Sequence, residues 1–125
     1  MGAVARGRAK GMGTLGRHFL LDLKECSSEL LDNLDFVKQV LYAAADEAGS
    51  PVVGESFHAF QPQGLSGVVL INGAHLCIHT WPEYAYAAID IFVHGDSFQP
   101  GDVAGSIIEK LESKKPAMVE LKRGV

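Results

Sequence analysis

The sequence predicts an α+β fold, a two-layer sandwich in which two helices cover one face of an antiparallel sheet. Two apolar stripes at helical spacing stand among short segments rich in Val, Ile, Phe and Tyr, and most of those segments follow one another directly, as hairpin-connected strands do. The first element is residues 18 to 23, where Phe19, Leu21 and Leu23 share one face and His18, Leu20 and Asp22 the other. That period of two belongs to a half-buried strand, and the polar, turn-like cluster Cys26-Ser27-Ser28 closes it. From Asn33 the period changes. Val37, Val40, Leu41, Ala44 and Ala48 form a helical stripe, Asp32 or Asn33 can cap its first turn, and Gly49 fits its stop. After Pro51, segments 52 to 60, 66 to 72, 76 to 81 and 86 to 93 read as successive strands divided by glycine or proline, with Ile89, Ile91 and Val93 on one face of the last. Gln99-Pro100-Gly101-Asp102 marks a turn into a second helix with the stripe Val103, Ile107 and Leu111. A final short strand runs through Ala117, Val119 and Leu121.

With 125 residues, 47% of them apolar, and a formal charge of -4, the chain suits one compact domain, expected over residues 14–125. Its eleven Lys and Arg are dispersed, which argues against nucleic acid as a partner, since phosphate binding needs clustered cations. The sequence has no apolar run of transmembrane length and no secretory signal, so no membrane partner is expected and the cytoplasm is the expected compartment. Two cysteines, Cys26 and Cys77, cannot build a disulfide framework and read as reduced thiols. Residues 1–13 hold Arg6, Arg8 and Lys10 among Gly and Ala without apolar periodicity, the composition of a basic, disordered extension.

The densest run of chemistry-bearing side chains is Gly73-Ala74-His75-Leu76-Cys77-Ile78-His79-Thr80-Trp81-Pro82-Glu83. On a strand, His75, Cys77 and His79 point one way and could imitate three metal ligands, with His94 as a fourth. Short strand-borne sets of this kind are far less specific than paired Cys-x-x-Cys sites, and the chain is read as holding no metal. Taken singly, Ser66 in Leu65-Ser66-Gly67 is a turn residue, His79 a core histidine, and Phe60 and Trp81 core aromatics.

The run as a whole, together with Leu15-Gly16-Arg17-His18, resembles the small prokaryotic S-adenosylmethionine decarboxylases over about residues 14 to 123. Members of that family carry a Glu-Ser pair directly before a His-Leu-x-Ile-His-x-(aromatic)-Pro-Glu sequence, and here the pair is Gly73-Ala74. The resemblance implies the same sandwich and a homodimer with its site near the interface. It also implies a role in polyamine (spermidine) biosynthesis and a proenzyme that cuts itself before the serine to leave a pyruvoyl cofactor, an electron sink for decarboxylation. Met12 then reads as the ancestral start. By the resemblance, Ser66 and His79 assist the cut, and Phe60, Trp81 and Glu83 hold the nucleoside between two aromatic faces and a carboxylate. His94 stands where the family commonly has a cysteine that protonates the carbanion; an imidazole can also deliver a proton.

Ala74 has no hydroxyl with which to start the cut, so no pyruvoyl group is formable there. The paired change to Gly73 reads as divergence rather than removal of one nucleophile. Neither substitute serves: Cys77 lies an odd number of residues away and faces the other side of the strand, and Glu55-Ser56 falls in an earlier strand. The expected function is that of an S-adenosylmethionine decarboxylase homologue unable to self-process. The alternative is a non-catalytic paralogue that binds S-adenosylmethionine or a related nucleoside, and a decarboxylase for another amino acid would fail at Ala74 in the same way.

Overall fold

A computed structural model describes residues 14–95 and 97–124; the extension expected over residues 1–13 lies outside them. In chain order the elements are β1 (Gly16–Lys24), α1 (Ser28–Leu31), α2 (Leu34–Glu47), β2 (Val52–Ala59), β3 (Leu65–Ile71), β4 (Ala74–Trp81), a 3-10 turn (Pro82–Tyr84), β5 (Tyr86–His94), α3 (Pro100–Lys110) and β6 (Lys115–Arg123). The strands form one sheet in the order β2-β3-β4-β5-β1-β6, with every neighbouring pair antiparallel. The helices pack on one face of it, so the α+β sandwich is the architecture observed.

The alternation read from the sequence decides which face they cover. Phe19, Leu21 and Leu23 from β1, Leu76 and Ile78 from β4, and Ile89, Ile91 and Val93 from β5 are all buried against Val37, Leu41, Val103, Ile107 and Leu111 of the helical segments. Each fully buried Leu or Ile of this layer is worth about 1.5–3 kcal/mol relative to exposure. Asn33 is the cap of α2, its side chain accepting from the Phe36 N–H at 3.0 Å. Asp32, the other capping possibility, instead accepts the Gly64 N–H at 3.0 Å and ties the helix entry to the loop before β3.

Three elements differ from expectation. The polar stretch after β1 does not remain a turn: Ser27 caps a one-turn helix, α1, because Leu31 gains a fully buried position by closing it. The second long helix starts inside its turn motif, at Pro100, whose fixed φ suits a first helical position. Strand β4 begins at Ala74 rather than two residues later, so only Asn72 and Gly73 connect it to β3. An Asn-Gly pair between two apolar segments is the strongest local hairpin signal a sequence carries, and the register that places it at the tip comes from pairing Ile71 with Ala74.

Candidate functional site

Strand β4 divides its side chains between the two faces of the sheet. Ala74, Leu76, Ile78 and Thr80 are buried toward the helices, while His75, Cys77, His79 and Trp81 project from the other face. Among the described residues, no helix covers that second face. Across it, Ser66 of β3 stands opposite His79, and Asp90 and Phe92 of β5 stand opposite Cys77 and His75. The open face therefore has two ends, one at Trp81 and one at the Gly73-Ala74 tip.

At the Trp81 end the geometry gathers the residues expected to bind and assist. Ser66 Oγ and His79 Nδ1 are hydrogen-bonded at 2.8 Å; neither is a turn or core residue, since Ser66 lies within β3 and His79 is exposed. Phe60 lies just past the end of β2 and donates its N–H to the Gly64 carbonyl at 2.8 Å, and Gly64 in turn lies against Thr80 and Pro82. Phe60 and Trp81 are thus both set around this loop, 47% and 41% exposed, with Glu83 exposed on the 3-10 turn that follows. The Trp81 ring is 5.4 Å from that of Tyr86. Tyr86 donates its hydroxyl to Asp22 at 2.5 Å, and that bond to a carboxylate pushes its pKa up to about 12. Beneath them Thr80 accepts the Leu65 N–H and donates to the Leu31 carbonyl, both at 2.9 Å. It is a buried polar side chain that fixes α1, β3 and β4 to one another.

The Gly73-Ala74 tip is built differently. Gly73 has φ +78°, which favours glycine, and a Cβ there would come within 2.6 Å of Ser97 Oγ, so a larger residue would have to displace that side chain. Its carbonyl, the one a residue at 74 would have to attack, accepts the His94 N–H at 2.8 Å, and Ser97 closes the corner by donating to the His94 carbonyl at 2.8 Å. The Ala74 methyl is buried with Ala45 and Ile71, with Ala48, Val52 and Phe98 packed around them. A pyruvoyl group does not fit these residues: no hydroxyl is present to become one, and the side chain at 74 is in apolar packing on the helix side. Cys77 faces the opposite side, and burial, followed by the charge of Asp90, pushes its thiol up. Ser56 is an exposed residue within β2, paired with Val68 in the middle of the β2–β3 ladder and not at a turn.

His94 and Ala74 are therefore neighbours, but Ser66 and His79 do not join them within one chain. Five residues along β4 separate Ala74 from His79, about 17 Å at strand rise.

One cluster was not singled out by the sequence reading. The Phe92 ring lies over Gly16, where a Cβ would be 2.6 Å from it. The rings of His18, His75 and His94 surround it at 5.7, 5.6 and 5.4 Å, and the Arg123 guanidinium approaches at 5.9 Å. His18 Nε2 is buried without a hydrogen bond, 3.9 Å from Asp90 Oδ1. Burial, and next the nearby His18, hold the His75 pKa below the ordinary histidine value. Strand parity alone puts His18 with Leu20 and Asp22, but pairing of β1 with β5, far apart in sequence, is what brings it to Phe92. Among the described residues no three His, Cys, Asp or Glu side chains are grouped to hold a metal ion.

A family model described as S-adenosylmethionine decarboxylase matches residues 17–124. Proteins named S-adenosylmethionine decarboxylase proenzyme from Thermodesulfovibrio yellowstonii and Clostridium kluyveri are 47% and 45% identical over 114 residues, 91% of this chain and 84% and 90% of theirs. The crystal structure of the adenosylmethionine decarboxylase from Aquifex aeolicus superposes with a TM-score of 0.83 at 32% identity, covering 90% of this chain and 92% of that one.

Proposed function

Because the chain belongs to the S-adenosylmethionine decarboxylase family, we propose that it is a homologue of the polyamine-pathway decarboxylase that keeps the nucleoside-binding wall and does not cut itself to the pyruvoyl form. The observation that carries this is the buried Ala74 methyl at the hairpin tip, set against an intact Ser66–His79 hydrogen bond of 2.8 Å at the other end. Phe60 and Trp81 offer two exposed aromatic faces for an adenine, and Glu83 a carboxylate for the ribose hydroxyls. A sulfonium centre gains further from the aromatic faces by cation–π attraction. Ser66 and His79 hold one proton between Oγ and Nδ1, ready to move with the tautomer of the ring. His94 presents an imidazole beside the tip that can donate a proton in place of the thiol common in the family.

The loss of the cofactor-forming hydroxyl favours a second reading of the same pocket, that of a non-catalytic nucleoside-binding or regulatory paralogue. Both readings have the chain in the cytoplasm and paired as a homodimer through the uncovered sheet face. The 17 Å, roughly, between the two half-sites in one chain supports this pairing, because an isologous contact sets each patch of one copy against a patch of the other. Intact mass spectrometry tests the first claim: a single uncut chain is expected, and two fragments split between Gly73 and Ala74 would defeat it. Calorimetry with S-adenosylmethionine tests the pocket, where absence of heat at millimolar ligand sinks the retained-wall reading.

A further inference from the structure

The chain contains five histidines, and all five project from the same, helix-free face of the sheet. His75 and His79 alternate with the buried residues of β4. His58 stands across β3 from His79, through Ser66. His18 and His94 flank Phe92, which is paired with His75. Neither the helices nor the helix-facing side of any strand carries one. The same face exposes Leu70 on β3 and Val119 and Leu121 on the edge strand β6, at 48%, 56% and 48%, and between them it is dense in groups that gain charge near neutrality.

We propose that this face is a proton-sensitive contact between two copies of the chain, closed while its histidines are neutral and opened when they are protonated. The inference rests on the homodimer reading above and adds the control of that same contact. Among the described residues, the other charged or titratable groups on the face are Asp22 and Asp90, the hydroxyl of Tyr86, the thiol of Cys77, and the cations Lys24, Lys115 and Arg123. The two carboxylates are fewer than these three cations, so although Asp90 lies 3.9 Å from His18, each added proton increases the net positive charge of the face. Two-fold symmetry sets this face of one copy against the same face of the other, so protonated histidines of both copies share one desolvated layer. The burial that already depresses His75 in the single chain acts in the same direction on association.

A histidine that loses one pKa unit on association counts twice in a symmetric pair, which approaches about 100-fold in the dimer Kd once the pH is well below that histidine's lowered pKa in the pair. Sedimentation equilibrium at constant ionic strength, with circular dichroism recorded at each pH to follow the fold, reads this directly. The expected result is a dimer at about pH 8 and a Kd weakened at least 100-fold at about pH 5.5 with the fold intact. His75→Gln and His94→Gln, measured separately, should each reduce that ratio. A Kd that changes less than about threefold over the same range, or variants that dissociate just as the parent does, would overturn the inference while leaving the dimer standing. A chain monomeric at every pH overturns both the inference and the dimer reading beneath it.

Discussion

The two ends of the open face differ in what backs them. At the Trp81 end the exposed side chains stand on a polar anchor: Thr80 satisfies a donor and an acceptor in the buried layer, Asp32 ties the adjoining loop, and Ser66 and His79 satisfy each other. At the hairpin tip the buried layer beneath is apolar, a methyl packed among Ala45, Ile71 and Phe98, and the hydrogen bonds there hold backbone groups: the Gly73 carbonyl accepts the His94 N–H, Ser97 donates to the His94 carbonyl, and Ser50 accepts the Asn72 N–H. Side-chain hydrogen bonds fix the orientation of polar groups, whereas close packing fixes shape and position. The first end carries Ser66, His79, Trp81 and Glu83, and the second carries Gly73 and Ala74.

Four measurements break or sharpen that contrast. The largest effect is expected from Thr80→Val, which leaves the Leu65 N–H and the Leu31 carbonyl unpaired; two such groups cost about 2–4 kcal/mol, read as a lowered urea midpoint. A midpoint unchanged from the parent would mean that the polar anchor contributes nothing. Next, Trp81→Ala should weaken S-adenosylmethionine binding by about tenfold or more, as loss of a base-stacking ring does, with little change in melting temperature because the ring is 41% exposed. If His94→Ala weakens it equally, the two ends are not functionally distinct.

Gly73→Ala should cost about 1–2 kcal/mol from the left-handed backbone and the Ser97 contact. Ser97→Gly should relieve only the steric share, so a double-mutant cycle with no coupling would show that Ser97 does not define the tip. The smallest effect is in pH. Because His75 has a depressed pKa in the folded chain, the unfolded state takes up a proton first as the pH falls. Its contribution is present above the ordinary histidine value, about 6.5, and is lost as the pH drops through and below it. His75→Gln should flatten the acid limb of the stability profile, and an unaltered limb would place the titration elsewhere.

Much of this was legible along the chain. The alternation of Phe19, Leu21 and Leu23 and the stripes Val37–Leu41–Ala44 and Val103–Ile107–Leu111 locate their elements within a residue or two, because burial imposes the local period. The Asn-Gly tip is a local signal too, because that pair between two apolar segments favours a two-residue turn. Helix α1 escaped because one turn carries no period, and its stability comes from Leu31 and Thr80 meeting across 49 residues.

By itself, then, the sequence determined the family, the sheet with its helices, the parity of β4 and the absence of a hydroxyl at 74, since each depends on residue identity or on neighbours within a few positions. The tertiary structure alone decided that Ser66 and His79 are bonded, that they lie far from Ala74, and that all five histidines share one face. Those facts depend on which strand pairs with which and in what register. That choice is fixed by the summed burial of the whole helix-covered layer rather than by any segment of the chain.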